Sequence, residues 1–449
     1  MSPGPDPSPA DGVGIIPERP SLAFQADVPE AWHESYQQAV AGNGLVLVVG
    51  GWWRTAADRG VVLVALDSMS GAERFRVQVP VERPGATACQ VGIPALLPDG
   101  HILLPVYQWD TSLVVYVLDP KGSVVRVDDL AAGREVELDV FAADLYIKLW
   151  LEPLLVDADS YVVSWTYRHS SCHVQCRDVG RGTVRWEAAE RVLAVADGIT
   201  VSETDPPRAR ASRMHGSEVV GRRTGDGAAR WRLPPQPELP MRMRSVAGRL
   251  VGSVLFVDRR RRAHSLANEV AGLVAETGVL PHRIDLSQLE RGRDSRQPPL
   301  PPEELVSYDP TNGQERWRRT LGGEVTSVAC GPQLACAVTT REDRALLERV
   351  TDDGDRLDAV PVPVGDQQPP DHVPVVAAVG HDRLLLATAR ELVCVSLTDP
   401  GDVLWRLALP AAPRASRPHP PDRRISMTSI SLADNHLYLR VGNKLWAFA

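Results

Sequence analysis

The sequence has no long apolar run and few cysteines. No stretch of its 449 residues approaches the roughly 18 to 20 consecutive apolar residues that span a bilayer, so no membrane-spanning helix is predicted. The N-terminus lacks the basic and apolar regions of a secretory signal. Only six cysteines are present, which is typical of a large reduced protein. We therefore expect a cytoplasmic protein without membrane contact.

An excess of basic charge and the familiar catalytic motifs are also missing. The net charge of −8 and the pI near 5.8 argue against a nucleic-acid partner, because duplex-binding domains carry a basic stripe. No Walker loop, His-Glu-x-x-His motif or Gly-x-Ser-x-Gly elbow occurs. Cys172, His173 and Cys176 lie close together, but in a strand the histidine would point away from both cysteines. No metal and no cofactor is predicted.

What the sequence does contain is a repeat built on glycine. In five segments a glycine precedes a large aromatic residue by four positions: Gly71–Phe75, Gly182–Trp186, Gly227–Trp231, Gly313–Trp317 and Gly401–Trp405. Weaker copies contain Gly122 and Gly354. Most copies follow an alternating apolar segment, as at residues 62–67, and this alternation is typical of a strand. The spacing of the glycines is near the range of propeller repeats.

Each repeat is predicted to form four strands, named A, B, C and D in chain order. Strand A precedes a small polar turn such as the one at residues 98–100, strand B follows that turn, and strand C ends in aspartate. The glycine of the C–D turn is expected at positive φ, which other residues resist. The aromatic residue on strand D is expected to cover the seam between neighbouring sheets with a large apolar area.

The two ends of the chain complement each other. The last repeat stops after three strands, while residues 21–28 look like an outer strand without a repeat. Pairing these segments would close a ring without exposed edges. We therefore predict an all-β fold, a single closed β-propeller of about eight four-stranded blades over residues 21–449, preceded by a flexible proline-rich tail over residues 1–20. Seven blades, an open array and two separate β domains are the alternatives.

The repeats resemble the PQQ-like (quinoprotein-type) propeller repeat. The resemblance is carried by Ala-Leu-Asp followed by Ser-Gly within residues 64–71, and by Asn-Gly-Gln-Glu-Arg-Trp within residues 308–317. It implies the propeller fold, whereas the family's functions include quinone-dependent dehydrogenases, a lipoprotein scaffold for outer-membrane assembly, and interaction domains. Many of these dehydrogenases place adjacent cysteines against the quinone, and this sequence has no Cys-Cys pair. The lipoprotein needs a lipidated cysteine after a signal peptide, whereas the first cysteine here is Cys89.

The B–C loops are predicted to form the binding surface, because they leave the face opposite the short C–D turns and vary in length. Several are rich in aromatic and arginine side chains, which are frequent at binding hot spots. The candidate binding residues are Trp52, Trp53, Arg54, Tyr107, Trp109, Asp110, Tyr167, Arg168, His169 and Arg341. The alternative is that these rings only pack the loops against one another.

Blade 5 is predicted to contain an insertion at about residues 259–303. It opens with the four arginines of residues 259–262, continues with apolar residues at helix-like spacing and ends in a proline-rich stretch. Insertions of this length are usually functional or disordered. Two interpretations stay open: the arginine run docks an acidic partner or a phosphate-bearing ligand, or it is a solvated surface.

Together these features predict a non-catalytic binding or scaffold propeller that recognises a protein partner, or a small ligand, through its B–C loop face. One alternative is an enzyme that acts on a small substrate in the central funnel, with His169 or Asp110 as general acid or base. Such an enzyme needs a titratable group with a perturbed pKa in a concave pocket. Another alternative is a quinone-binding propeller without dehydrogenase machinery. The proline-, arginine- and alanine-rich composition favours a bacterial origin.

Overall fold

The described part of the chain consists of strands and turns, without a helix. The computed structural model describes residues 15–29, 39–52, 60–79, 89–108, 112–131, 154–157, 159–167, 171–196, 198–204, 218–233, 240–246, 249–254, 304–331, 334–341, 344–351, 353–363, 375–388, 391–409, 428–433, 435–441 and 443–449. In these residues the strands form eight antiparallel sheets, each of which is one blade of the predicted propeller.

The strands of the first four blades follow one another along the chain, after an N-terminal strand β1 (Leu22–Asp27). Blade 1 consists of β2 (Val40–Gly42), β3 (Leu45–Trp52), β4 (Gly60–Asp67) and β5 (Glu73–Val79). Blade 2 consists of β6 (Cys89–Val91), β7 (Ala95–Leu96), β8 (Ile102–Gln108), β9 (Ser112–Leu118) and β10 (Val124–Asp129). Blade 3 consists of β11 (Leu154–Asp157), β12 (Ser160–Tyr167), β13 (Ser171–Asp178) and β14 (Val184–Ala188). Blade 4 consists of β15 (Glu190–Ala196), β16 (Ile199–Thr204), β17 (Val219–Arg223) and β18 (Ala229–Leu233).

The strands of the remaining blades also follow one another along the chain, and the last blade is completed by the N-terminal strand β1. Blade 5 consists of β19 (Pro240–Val246), β20 (Arg249–Val254), β21 (Glu304–Tyr308) and β22 (Glu315–Thr320). Blade 6 consists of β23 (Glu324–Cys330), β24 (Leu334–Arg341), β25 (Arg344–Thr351) and β26 (Arg356–Pro361). Blade 7 consists of β27 (Val375–Val379), β28 (Arg383–Ala387), β29 (Glu391–Ser396) and β30 (Val403–Ala408). Blade 8 consists of β31 (Thr428–Ala433), β32 (His436–Val441), β33 (Lys444–Phe448) and β1.

Strand A of blade 2 is divided into two short strands. Its two pieces, β6 and β7, both pair with β8, and residues 92–94 lie between them. The sequence did not predict this interruption.

The N-terminal strand completes the last blade, as predicted. β1 pairs antiparallel with β33, from Leu22 opposite Phe448 to Asp27 opposite Lys444. Beyond the strand, the Ser21 and Ala449 backbones exchange two hydrogen bonds of 3.1 and 3.0 Å. The two ends of the described chain are therefore held in one sheet.

Each blade packs on the next along the chain, and the eighth packs on the first. Core clusters join blades 2 and 3, blades 7 and 8, and blades 8 and 1. Strand contacts join blades 1 and 2 and every neighbouring pair from blade 3 to blade 7. The predicted propeller of eight blades is confirmed for the described residues.

An arginine lies inside the seam where the ring closes. Arg440 in β32 is fully buried, and its Nη1 donates to the Val49 carbonyl of blade 1 at 2.9 Å while its Nη2 donates to the Pro29 carbonyl at 2.7 Å. Burial lowers the pKa of Arg440 to about 10. The side chain thus joins strand B of blade 8 to blade 1 and to the connection that follows β1.

Strands B and C are buried on both faces because a neighbouring blade covers each face. Val46, Leu47 and Val48 are consecutive in β3 and all three are fully buried. This explains why such strands read as nearly continuous apolar runs in the sequence.

The C–D turns are built on glycine at positive φ, with one exception to the prediction. In the turns that contain Gly71, Gly182, Gly227 and Gly313 the glycine φ lies between 69° and 71°. Gly122 and Gly354 close tighter turns with φ of 87° and 86°. Gly401 was predicted to behave in the same way, but its φ is outside the left-handed region. Its turn is closed by a hydrogen bond from the Asp402 amide to the Asp399 carbonyl.

The aromatic residue of strand D packs on the turn glycine of the next blade, so the predicted seam position is confirmed. A Cβ added to Gly227 would lie 2.6 Å from the Trp186 ring, and one added to Gly313 would lie 2.6 Å from the Trp231 ring. The same arrangement occurs for Phe24 with Gly71, Phe75 with Gly122 and Trp317 with Gly354.

The seam tryptophans also donate a hydrogen bond to the next blade. Trp186 Nε1 donates to the Thr224 carbonyl at 2.6 Å, and Trp231 Nε1 donates to the Pro310 carbonyl at 2.8 Å. Each acceptor lies three residues before the turn glycine of its blade. Each tryptophan therefore packs on the turn glycine of the next blade and is hydrogen-bonded to the same C–D turn.

The N-terminal segment supplies this acceptor for blade 8. Trp405 Nε1 donates to the Pro17 carbonyl at 2.9 Å, and Ile16 is 3% exposed within the core cluster of blades 7 and 8. Residues 15–20 therefore take the place of a C–D turn that the chain leaves open between β33 and β1. The packed part of the chain starts before residue 21, and residues 1–14 lie outside the described residues.

Candidate functional site

Four of the predicted binding residues lie at the base of B–C hairpins. Trp52 ends β3 and pairs with Gly60 at the start of β4. In the other hairpins Tyr107 pairs with Leu113, Tyr167 with Ser171 and Arg341 with Arg344. Trp52, Tyr167 and Arg341 are thus the last paired residues of strand B in blades 1, 3 and 6, whereas Tyr107 lies one residue before the last pair, Gln108 with Ser112, in blade 2.

The other six candidates, and the side chains of these four, lie outside the described residues. The six are Trp53, Arg54, Trp109, Asp110, Arg168 and His169. That the aromatic side chains of these candidates converge on one surface of the propeller stays a prediction. A catalytic role for His169 or Asp110 also stays a prediction.

The B–C connections leave one face of the ring. Strand D of each blade with a seam aromatic contacts the C–D turn of the next blade, which places these C–D turns on a common face. Because each blade is an antiparallel meander, its B–C and D–A connections leave the opposite end of the sheet. This B–C face carries the connection between β20 and β21, residues 255–303. The predicted insertion at 259–303 falls within this connection, outside the described residues.

A pair of stacked rings supports the hairpin of blade 3. Trp165 and His173 are cross-strand partners, and their ring centroids are 5.9 Å apart with an interplanar angle of 20°. Trp165 is buried in the core shared by blades 2 and 3. The rings lie two residues from the Tyr167–Ser171 pair, so the base of this loop is held by a fixed aromatic contact. Trp165 was not predicted as a site residue, because it lies inside a largely apolar strand and not in a loop.

His173 stacks on Trp165, while Cys176 packs in a separate cluster with Val162 and Val174. The predicted divergence of these two side chains is therefore seen in the strand. In the part of the chain that the structure describes, no group of three or more metal-ligating side chains could hold an ion.

A buried carboxylate anchors the B–C side of blade 6. Glu348 is fully buried, and it accepts hydrogen bonds from the Gly322 amide at 2.6 Å, Thr339 Oγ1 at 2.9 Å and Arg356 Nη2 at 2.7 Å. Gly322 belongs to the connection from blade 5 to blade 6. Because both carboxylate oxygens are engaged, Glu348 holds the connection and the hairpin in place.

A second buried carboxylate lies in blade 4. Glu190 pairs with Arg222 through two hydrogen bonds of 2.8 and 2.6 Å and accepts a third from Ser202 Oγ. Burial alone would raise the pKa of Glu190, but the hydrogen bonds from Arg222 and Ser202 outweigh it and hold the pKa below its usual range. An ionised carboxylate held by three hydrogen bonds within its own blade is a structural group, since it has no proton to give. Neither glutamate was singled out from the sequence.

Comparison with known proteins agrees with this architecture. A family model described as outer membrane protein assembly factor BamB matches residues 301–435. A search of curated proteins finds no match to the sequence. The PQQ-like character expected from the repeats is confirmed by the family model together with the structural similarities below.

The structure is similar to solved propellers of very different sequence. BamB from Moraxella catarrhalis matches with a TM-score of 0.52 and 10% identity, covering 96% of this chain and 99% of that one. Quinohemoprotein alcohol dehydrogenase from Comamonas testosteroni matches with a TM-score of 0.52 and 10% identity, covering 98% and 77%. The corresponding enzyme ADHIIG of Pseudomonas putida matches with a TM-score of 0.52 and 9% identity, covering 100% and 78%.

At these identities the similarity shows the fold alone, a PQQ-like β-propeller. An assembly factor and two dehydrogenases match equally well, so the fold leaves the role of this chain unassigned. The described residues also contain no helix that is long and apolar enough to cross a membrane.

Proposed function

We propose that this chain is a non-catalytic propeller that recognises a protein partner through its B–C face. The observation that carries the proposal is the contrast between the two faces. The C–D turns of blades 1 to 7 are all short, and six of the seven close on a glycine at positive φ, whereas the B–C connections differ in length from blade to blade and include residues 255–303. A scaffold with short turns on one side and loops of varied length on the other concentrates recognition in the loops.

The residues of these loops fit protein recognition. Trp52, Tyr107 and Tyr167 stand at hairpin bases in three successive blades. Tryptophan, tyrosine and arginine dominate binding hot spots because they contribute large contact area with few rotatable bonds. The similarity to a protein named as an assembly factor is consistent with this role. We place the protein in the cytoplasm, on the sparse use of cysteine.

The test is an affinity purification from native lysate with the full chain and with a variant that carries Trp52→Ala, Trp53→Ala and Trp109→Ala. Mass spectrometry then identifies the proteins and the small molecules that are retained. A matched control is Met69→Ala, since Met69 is exposed on a C–D turn of the opposite face. Circular dichroism and the thermal midpoint check that both variants fold.

We expect a protein that the wild type and the Met69 variant retain and the tryptophan variant loses. A partner retained equally by all three proteins would contradict the assignment of the face. A co-purifying quinone or other small molecule, without a protein partner, would instead favour the enzyme or the quinone-binding alternative.

A further inference from the structure

Residues 15–20, here termed the strap, lie against the seam of blades 7 and 8 and contain no strand. Ile16 and Pro17 are the buried residues of the strap, and the Ile16 side chain packs in the core cluster that contains Trp405. Gly380 closes one side of this pocket, because a Cβ added there would lie 3.5 Å from Ile16 Cδ1. The residues on either side of the buried pair are exposed. The strap is therefore anchored by an aliphatic residue followed by proline.

Two donors of blade 7 hold the backbone of the strap. Trp405 Nε1 donates to the Pro17 carbonyl at 2.9 Å, and Arg383 Nη1 donates to the Ile16 carbonyl at 3.3 Å. Arg383 Nη2 also lies 3.2 Å from Glu18 Oε1. Because the Glu18 side chain is 86% exposed, this ion pair is screened by solvent and adds little to the binding. The pocket thus recognises an aliphatic residue, a proline and, more weakly, a carboxylate in that order.

The strap can leave its pocket without opening a hairpin. The seam tryptophans of blades 3 and 4 donate instead to the Thr224 and Pro310 carbonyls, which lie in C–D turns fixed at both ends by paired strands. The strap continues into a paired strand only on its C-terminal side, through Ser21 to β1. β1 is held by its own pairing with β33, so blade 8 keeps four strands when the strap departs. Segments with so few contacts open at a low free energy.

A vacant pocket would favour another occupant. Without the strap, Trp405 Nε1 loses the Pro17 carbonyl, and the apolar surface that covers Ile16 meets water. An unpaired donor in a buried site and exposed apolar surface are both unfavourable. An extended segment that presents a carbonyl and an aliphatic side chain in the same places relieves both. The guanidinium of Arg383, which pairs with Glu18 in the strap, favours an acidic residue in that segment by charge complementarity.

We propose that this pocket is a recognition site for an extended segment of a protein partner, and that the strap is its autoinhibitory occupant. The segment carries an aliphatic residue, proline and an acidic residue in succession, as Ile16, Pro17 and Glu18 do. The partner binds by displacing the strap, while β1 stays in blade 8. The pocket lies on the face of the C–D turns, because Trp405 donates there to the substitute for a turn. It is therefore separate from the B–C face and does not depend on the function proposed above.

The first test measures the binding of a fluorescent peptide of residues 12–21 to three forms of the full chain by fluorescence anisotropy. They are the wild type, Ile16→Asp, which releases the strap, and Ile15→Asp, which changes a neighbour that is 63% exposed. A tethered segment competes at an effective concentration in the millimolar range. We therefore expect Ile16→Asp to bind the peptide at least tenfold more tightly than the wild type, and Ile15→Asp to bind it as weakly as the wild type. Circular dichroism checks folding, and Ile16→Ala is the milder release if Ile16→Asp does not fold.

A second test locates the peptide in the pocket. In the released chain, Trp405→Phe keeps an aromatic ring and removes the donor, so we expect it to weaken peptide binding about fivefold. Trp186→Phe removes the equivalent donor between blades 3 and 4 and is the matched control, which should leave the affinity unchanged. A peptide that itself carries Ile16→Asp should not bind.

A third test identifies the foreign segments that the pocket accepts. A phage-displayed library of random peptides is selected on the released chain. We expect enriched peptides that carry an aliphatic residue, proline and an acidic residue in succession and that compete with the peptide of residues 12–21. The proposal is overturned if the released chain does not bind that peptide, if the wild type binds it equally well, or if Trp405→Phe and Trp186→Phe have the same effect. It is also overturned if the enriched peptides lack the aliphatic–proline pair or do not compete.

Discussion

At the scale of single residues, the turn glycines meet two separate demands. Gly313 has a φ of +71°, where residues with a side chain are strained, and the Trp231 ring occupies the space that a Cβ would need. Gly198 has the same φ of +71°, but no atom lies within 4 Å of its would-be Cβ. Substitution of Gly198 therefore tests backbone strain alone, whereas substitution of Gly313 tests backbone strain and packing together.

Replacing the two glycines by alanine should show the difference. Gly198→Ala is expected to cost about 1–2 kcal/mol of the free energy of unfolding, the usual penalty for a left-handed residue with a Cβ. Gly313→Ala carries the same strain and also displaces the seam tryptophan, which adds about 1–3 kcal/mol. The measurement is the shift in the urea midpoint of each variant. Equal shifts would show that the Trp231 contact adds nothing.

The glycine-to-aromatic spacing in the sequence predicts some seam residues but not others. The glycine-to-aromatic spacing predicted the seam residues correctly, because packing and turn geometry are the same in most blades. It did not predict that Arg126 would replace the ring at the seam of blades 2 and 3. Nor did it predict that Arg349 would donate to the Leu397 carbonyl at 2.7 Å between blades 6 and 7. In blade 3 the carbonyl three residues before the turn glycine is that of Val179, and it accepts a hydrogen bond from Arg126 Nη2 at 2.7 Å instead of from a tryptophan.

At the scale of elements, aspartate shapes the C–D turns through its side-chain carboxylate, which accepts hydrogen bonds from the residues that follow it. Asp309 accepts hydrogen bonds from the Thr311 hydroxyl at 2.6 Å and from the Thr311 amide at 2.8 Å. These bonds, assisted by Arg316, hold the pKa of Asp309 below its usual range. Asp67 makes corresponding bonds to the Ser70 hydroxyl and amide. The turn is thus an Asx-type structure that favours the ionised carboxylate.

The stabilisation by Asp309 should therefore depend on pH. A carboxyl whose pKa is lower in the folded protein stabilises it fully above the unfolded pKa of about 3.9, and the stabilisation fades as the pH falls through the folded pKa. We expect Asp309→Asn to be less stable than wild type at pH 7, with a difference that shrinks below about pH 4.

The measurement is urea unfolding of both proteins between pH 7 and pH 3. Asp358→Asn is the control, since Asp358 is exposed on the outer strand β26 of blade 6. That variant should follow wild type at every pH. A constant difference between Asp309→Asn and wild type at all pH values would mean that the carboxylate charge does not matter.

The elements differ in how far the sequence predicts them. Strands B and C are buried on both faces, so their long apolar runs identify them. The division of strand A in blade 2 into β6 and β7 has no such signal: the Gly92 amide still donates to the Pro105 carbonyl of β8, and strand pairing resumes at Ala95. The B–C connections carry no repeating constraint at all. For that reason the candidate site was predicted only as a face, without the arrangement of its side chains.

At the scale of the whole molecule, closure was predictable because an incomplete repeat at one end and an orphan strand at the other are both visible in the sequence. The contribution of the segment ahead of β1 was not, since residues 15–20 contain no repeat motif. In the structure, the Pro17 carbonyl accepts the Trp405 hydrogen bond that a C–D turn would otherwise receive. The N-terminal segment therefore closes the ring through both a strand and a turn.

Removing residues 1–29 tests this closure directly. The truncated chain loses β1, exposes the free edge of β33, and opens the contact of Phe24 with Gly71. We expect a lower thermal midpoint and aggregation, since an uncovered edge strand templates pairing with other chains.

A synthetic peptide of residues 15–29 added in trans should restore the midpoint. The same peptide with Phe24→Ala should bind at least tenfold more weakly, because it loses a buried aromatic side chain that costs about 3–5 kcal/mol to truncate. If the truncated chain were as stable as the full chain and did not bind the peptide, β1 would be dispensable for closure, and contacts between blades 8 and 1 such as that of Arg440 would hold the ring by themselves.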